Sequence, residues 1–214
     1  MICLAVNTAT TVLSVALLED EKVLHLFETA ETRDQGNLLL KHVGEALKKT
    51  GRTYNDIGLL AVVTGPGSFT GIRIGLAAMR GIALAAAKPV VGITSFEMFA
   101  ERHAGKINIV AVESWREELY FTAYDAQGKT LVPSVNETPE LFAARMAGMK
   151  GDMVISGDAA PKLAGLLSQA QVSPKMGNAV NAGLLAMQKG AGAEKPLPFY
   201  LREADVTFPH DRKS

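Results

Sequence analysis

IGLLAVVTGPGSFTGIRIGLAAMRGIALAAA occupies residues 57–87, and its reading changes at the glycines. Ile57 to Thr64 is an apolar run of strand length, which reads as a buried strand. Gly65-Pro-Gly-Ser-Phe-Thr-Gly71 then makes a tight turn, in which glycine permits positive φ and Pro66 fixes the approach. From about Phe69 the chain reads as a helix to Ala87, and Pro89 terminates it. Strand, turn and long helix in that order form an α/β unit.

Upstream, residues 2–7, 13–18 and 23–29 read as strands, with polar turns at Asn7-Thr-Ala-Thr-Thr11 and Glu19-Asp-Glu-Lys22. Leu38 to Lys49 is helical: Leu39, Leu40, Val43, Ala46 and Leu47 share a face, and Gly51 supplies the stop. Downstream, Val90 to Ile93 is a short strand, and Thr94-Ser-Phe-Glu97 has capping-box spacing for a helix reaching about His103.

The second half repeats the plan. Strands are expected at Ile107 to Val112, Leu119 to Asp125 and Thr130 to Val135, with Ala126-Gln-Gly-Lys129 as a hairpin turn. Thr138 caps a helix that has Pro139 at its first position and runs through Leu141, Phe142 and Met146. Met153 to Ser156 is a short strand, Gly157-Asp158 a turn, and Pro161 to Ala170 another helix. The order strand-strand-strand-helix-strand-helix thus occurs twice, without sequence self-similarity to support it. It predicts two RNase-H-like βββαβα lobes, residues 1–103 and 104–214, meeting at a cleft, with the C-terminal segment free to return to the first lobe. The polar tail Val206 to Ser214 contains Pro209 and is expected to fray.

A chain of 214 residues with 48% hydrophobic residues can bury a core in each lobe without metals or staples. Lys plus Arg and Asp plus Glu both number 22, so no chain-wide field draws the protein onto nucleic acid. The single cysteine, Cys3, lies in an apolar run and reads as a buried strand thiol in a reducing compartment. The N-terminus has no basic flank and breaks into polar residues after Val6, unlike a signal peptide. No stretch reaches the roughly 20 apolar residues that span a bilayer, so the expectation is a cytoplasmic protein.

Groups that could carry chemistry are sparse. The glycine loop, Gly65, Gly67, Ser68, Thr70 and Gly71 with Arg73 behind it, invites a phosphate-binding reading. It lacks the Walker A lysine and the dinucleotide glycine spacing, so a structural turn is the stronger reading. The helix behind it is dense in Gly71, Gly75, Ala77, Ala78, Gly81, Ala83 and Ala85 to Ala87. Glycine costs about 1 kcal/mol against alanine inside a helix, so a close neighbour must offset it. That neighbour is either part of the same lobe or a partner's helix. His25, His42, His103 and His210 show no ligand pairing, and no metal is expected. No G-x-S-x-G elbow marks a nucleophile. Glu113-Ser-Trp-Arg-Glu-Glu118 reads as a solvated connection between strands.

Ile2-Cys-Leu-Ala-Val-Asn-Thr-Ala-Thr10 with Leu13-Ser-Val-Ala-Leu17 resembles the opening of the TsaB family, formerly YeaZ. Gly65-Pro-Gly-Ser-Phe-Thr-Gly-Ile-Arg-Ile-Gly75 is similar to the family's most recognisable signature. Pro198-Phe-Tyr-Leu-Arg202 with Val206-Thr207 resembles its C-terminal motif, and Glu113 to Tyr120 stands where the family has an Asp, Arg and Glu-rich segment. The resemblance implies a two-lobed actin-like fold of the ASKHA superfamily, degenerate as an ATPase. It implies a non-catalytic scaffold and activator of TsaD, the paralogue that carries a metal-binding histidine pair and transfers threonylcarbamoyl to an adenosine next to the anticodon of tRNAs reading codons that begin with A. The ATPase TsaE joins that assembly, and tRNA is met through the complex.

In the family the first-lobe helices meet TsaD. The resemblance therefore points to Leu39, Leu40, Val43, Leu47, Ile72, Gly75, Leu76, Ala78, Met79 and Ile82 as interface; an exposed apolar surface on these helices would also allow a homodimer in isolation, and the sequence leaves monomer and homodimer open. No cofactor of its own is implied, and any nucleotide would sit at the joint with TsaD. Asn7, Thr8 and Thr10 correspond to a vestigial phosphate loop. Asn7 replaces the usual aspartate, and a neutral amide holds hydrated magnesium poorly. Arg33-Asp-Gln-Gly-Asn37 replaces a His-Ser-Glu string of many relatives. Two other readings compete: a stand-alone actin-like ATPase or small-molecule phosphotransferase, and a metallopeptidase-like protein.

Overall fold

Ile2–Asn7 (β1) is buried at every position, which suits the middle strand of a covered sheet. The computed structural model describes residues 1–31, 33–101, 103, 105–192 and 196–202. β1 pairs antiparallel with Leu13–Glu19 (β2), which pairs with the half-exposed Lys22–Thr29 (β3). On its other side β1 runs parallel to Ile57–Val63 (β4), which runs parallel to Val90–Ile93 (β5). The order is β3-β2-β1-β4-β5.

The second sheet repeats the first. Ile107–Val112 (β6) pairs antiparallel with Leu119–Tyr124 (β7), and β7 with Thr130–Glu137 (β8). Met153–Ser156 (β9) lies parallel to β6, and Ala170–Val172 (β10) parallel to β9. Both sheets have five strands, with the long meander on one side of the central strand and parallel strands on the other.

One face of the first sheet is covered by Gln35–Thr50 (α1) and Phe69–Ala86 (α2). The opposite face carries Ala179–Lys189 (α6), whose Gly183 packs on Leu18 and Ala5 and whose Ala179 N–H donates to the Ser14 hydroxyl at 2.9 Å. In the second lobe Pro139–Met146 (α4) and Ala160–Ala164 (α5) cover the sheet, with Phe121 stacked on Phe142 at 4.2 Å. Val110, Val112 and Tyr120 on the far side join the first lobe's core, so the two lobes share a packed boundary.

Several expectations change. The helix after Thr94 is the short Ser95–Phe99 (α3), because Ala100 turns extended. The expected helix from Pro161 to Ala170 ends at Ala164, and Ala170 begins β10. Residues 179–189, outside the repeated strand-and-helix order, form α6 and belong to the first lobe's core, so a division at 103/104 separates the sheets but not their helices. Residues 196–202 also lie on the first lobe, where Phe199 N–H donates to the Thr64 carbonyl at 2.8 Å. Val206-Thr207, His210 and the tail from Val206 to Ser214 lie outside the described residues.

Candidate functional site

In the turn between β1 and β2 the Asn7 side chain is satisfied within the turn itself, and Thr8 is fastened to the start of α2. Asn7 Nδ2 donates to Thr10 Oγ1 at 2.6 Å and to the Val12 carbonyl at 3.0 Å, while Asn7 Oδ1 accepts the Ala9 N–H at 3.0 Å. Thr8 Oγ1 donates to the Gly71 carbonyl at 2.6 Å. Asn7, Thr8 and Thr10 are all buried, so the side chains of the vestigial loop are structural fasteners in this chain.

The glycine loop rests against that turn. Ser68 N–H donates to the Ala9 carbonyl at 2.7 Å, and Ser68 Oγ caps α2 by accepting the Gly71 N–H at 3.1 Å. A Cβ on Gly71 would stand 1.9 Å from the Thr8 carbonyl oxygen, and one on Gly75 would stand 2.5 Å from Thr8 Oγ1. These glycines let α2 lie on its own lobe. Gly65 is buried, whereas Thr70 and Arg73 are exposed. Arg73 stacks its guanidinium 3.7 Å above the Phe69 ring, and its Nε donates to the Tyr200 hydroxyl at 3.4 Å.

Ser68, Phe69 and Thr70 form one wall of a groove of about 390 Å³ that faces Trp115 and Arg116 of the second lobe. Trp115 has φ of +60° and stays half-exposed, while Glu113 Oε1 accepts the Ser114 and Trp115 N–H groups at 3.1 and 2.8 Å. The run from Glu113 to Glu118 joins β6 to β7 with Trp115, Arg116 and Glu117 exposed, the solvated connection expected, and the Glu113 carboxylate orders its turn.

The ten residues named as an interface divide sharply. Leu39, Val43, Leu47, Ile72, Gly75, Leu76 and Met79 are buried in the first lobe's own core. A buried side chain has no surface to offer a partner, so these seven support the face rather than form it. Leu40 is 53% exposed, and with the half-buried Ala78 and Ile82 it lines a groove of about 490 Å³ between α1 and α2. Ala77, Gly81 and Ala85 continue that wall at four-residue spacing.

Phe69–Ala86 is long and apolar enough, by length and composition, to cross a membrane, against the reading that no stretch was; its mean hydropathy is 1.3 and 28% of it is buried. The buried part is the Gly71, Ile72, Gly75, Leu76 and Met79 side, which packs on β4 and the β1–β2 turn. On the other side Ala77, Gly81, Leu84 and Ala85 are exposed and Ala78 and Ile82 half-buried, an apolar strip of a kind that marks interaction sites, while Arg73 and Arg80 are exposed elsewhere along the helix. Leu84 is 86% exposed.

Cys3 is fully buried beneath Gly183, and burial pushes its thiol up to about 12, which fits a packing residue and not a nucleophile. Among the described residues no three His, Cys, Asp or Glu side chains are grouped to hold a metal ion. The donor set of a metal-dependent transferase or peptidase is therefore not assembled by them.

Residues 30–188 match the family model described as TsaD: tRNA N6-adenosine threonylcarbamoyltransferase. The chain is 33% identical over 163 residues to the Escherichia coli K12 tRNA threonylcarbamoyladenosine biosynthesis protein TsaB, covering 72% of this chain and 70% of that one. A Pseudomonas aeruginosa crystal structure, of an uncharacterized protein with similarity to peptidase YeaZ, superposes with TM-score 0.75 at 24% identity over 94% of this chain and 99% of that one. The activator of a Clostridium difficile 2-hydroxyisocaproyl-CoA dehydratase, with bound ADPNP, shares the fold at TM-score 0.54 and 11% identity, covering 88% of this chain and 95% of that one. Two duplicated lobes with such neighbours make the fold an actin-like α/β fold.

Proposed function

The chain belongs to the TsaB (YeaZ) family of tRNA threonylcarbamoyladenosine biosynthesis proteins, and on that premise we propose that it serves the pathway as a non-catalytic docking subunit that scaffolds and activates TsaD. The partner meets the exposed side of α2 and the adjoining Leu40 of α1. TsaE joins the assembly through TsaD, and tRNA is handled by the complex.

One observation carries the reading: an 18-residue helix of mean hydropathy 1.3 buries Gly71, Ile72, Gly75, Leu76 and Met79 in its lobe and leaves Ala77, Gly81, Leu84 and Ala85 exposed. Ala77, Gly81 and Ala85 present a flat strip, which lets a second helix approach closely, while Leu40 and Leu84 flank it as apolar knobs. Covering such side chains contributes about 1.5 to 3 kcal/mol each by area, an upper value for association. The internally satisfied Asn7, Thr8 and Thr10 weigh against the ATPase alternative, since they extend no free polar group toward a nucleotide.

Gly81→Arg tests the face. Nothing lies within 4 Å of a Cβ on Gly81, so the variant keeps the fold and places a charge in the strip. Calorimetric titration with TsaD should show at least an about 100-fold weaker Kd than wild type, with threonylcarbamoylation of tRNA falling in the reconstituted system. Undiminished affinity in a folded variant moves the partner elsewhere. Sedimentation of the chain alone reads whether a second copy uses the same strip.

A further inference from the structure

Asp158 hydrogen-bonds to both lobes at once. It follows Gly157 at the end of β9, and its carboxylate reaches two separate turns. Oδ2 accepts the Thr11 N–H at 2.9 Å, from the turn between β1 and β2. Oδ1 accepts the Glu113 N–H at 2.9 Å, from the turn between β6 and β7. The turns are equivalent by topology, because each leads from the central strand of its sheet into the antiparallel neighbour. Each lobe therefore aims one main-chain N–H at the same carboxylate, one at each of its oxygens. Converging main-chain amides form an anion site, and charge-assisted bonds to them are the strong class.

The charge that acts on Asp158 most directly is that of Glu113, which is itself paired with Lys162. Lys162 Nζ lies 2.6 Å from Glu113 Oε2, and Glu113 Oε1 accepts the Ser114 and Trp115 amides. The ammonium is thus engaged by Glu113, and Asp158 is held by the Thr11 and Glu113 amides together with the Thr11 side-chain hydroxyl. Burial pushes the Asp158 carboxyl above its ordinary range, with the Thr11 and Glu113 amides pulling it back and the Glu113 charge adding to the rise.

We propose that Asp158 is a built-in anion: its carboxylate occupies an oxyanion site formed by the Thr11 and Glu113 N–H groups, fastens the lobes there, and keeps tetrahedral oxyanions such as phosphate out of the junction. The lobes of this fold are then joined by the chain's own charge where an external anion could otherwise do it. This site is remote in its logic from the α2 face, and it stands whether or not a partner covers that face.

Asp158→Ala removes the carboxylate and leaves both amides in place. Calorimetric titration of the full chain with inorganic phosphate, at constant ionic strength, should show one site at least about tenfold tighter in Asp158→Ala than in wild type. Equal phosphate binding by the two proteins, or no gain in a folded Asp158→Ala chain, overturns the proposal. If the variant does not fold, the wild type decides by NMR. The Thr11 and Glu113 amide signals should then move on acidification with one midpoint, shared with the Asp158 carboxyl carbon. Amides that do not move, or that follow different midpoints, overturn it equally.

Discussion

Thr8 and Gly75 touch: a Cβ on the glycine would lie 2.5 Å from the threonine hydroxyl oxygen, and that hydroxyl is already fixed on the Gly71 carbonyl. α2 therefore has no slack against the β1–β2 turn. Gly75→Leu should damage the first lobe itself and not merely an interface, at a cost of about 3 kcal/mol. Urea unfolding followed by circular dichroism checks this. A wild-type midpoint would mean that α2 can shift away from Thr8.

Gly81 gives the opposite case on the same helix. It is exposed, and a Cβ there meets nothing within 4 Å. Gly81→Ala should raise stability by about 0.5 to 1 kcal/mol, because alanine loses less backbone freedom on folding. Thermal unfolding should show a small upward shift in Tm, and a decrease would reveal a contact at that position.

The contrast between Gly75 and Gly81 explains what was legible in the sequence. The meander, the buried strand before Gly65 and the long helix after it announce themselves through apolar runs, capping spacing and turn glycines, and the two-lobed fold follows from their order. Composition marks α2 as a helix needing close neighbours, but it does not say which glycine meets its own lobe and which faces outward. Leu39 and Leu40 were assigned to one face, yet Leu39 is fully buried and Leu40 is 53% exposed. An adjacent pair sits about 100° apart on a helix, so a broad apolar stripe hides that division. Residues 179–189 escaped notice because α6 packs on the first sheet through Ala179, Ala182, Gly183 and Ala186, small residues that make a weak periodic signal. Asp158 looked like a turn residue; its partners Thr11 and Glu113 lie 147 and 45 positions away, beyond any local pattern.

Glu97 joins α3 to α6. Its Oε2 accepts the Thr94 N–H at 2.8 Å and its Oε1 lies 2.7 Å from Lys189 Nζ. Burial works to raise its carboxyl, but the Lys189 ammonium and the Thr94 amide and hydroxyl outweigh it and hold it below its ordinary value of 4.5. A depressed carboxylate stabilises the fold above its unfolded value and loses that contribution as pH falls through the folded one. Both side chains are more than a third exposed, so solvent screening leaves about 0.5 to 1 kcal/mol. Glu97→Gln should be less stable than wild type by that amount at pH 7. The difference should shrink below pH 4.5, and a gap that persists through acid would assign the effect to packing.

Cys3 gives the opposite sign at the alkaline end. Its thiol sits with no exposed area against Gly183 and Ala5, and burial raises it from 9.0 to about 12. The unfolded chain therefore releases this proton first, and the native state binds more protons between those two values. Stability from this group is complete below pH 9.0 and falls as pH rises toward about 12. Cys3→Ala removes that slope while costing a small cavity in the sheet. Wild type minus variant, measured by urea unfolding at pH 8 and again at pH 10, should narrow by about 1 kcal/mol. A constant difference would show that the thiol ionises as readily in the folded lobe as in the open chain. Beneath α6, where the small face of Gly183 closes directly over the sulfur, the native packing should prevent that.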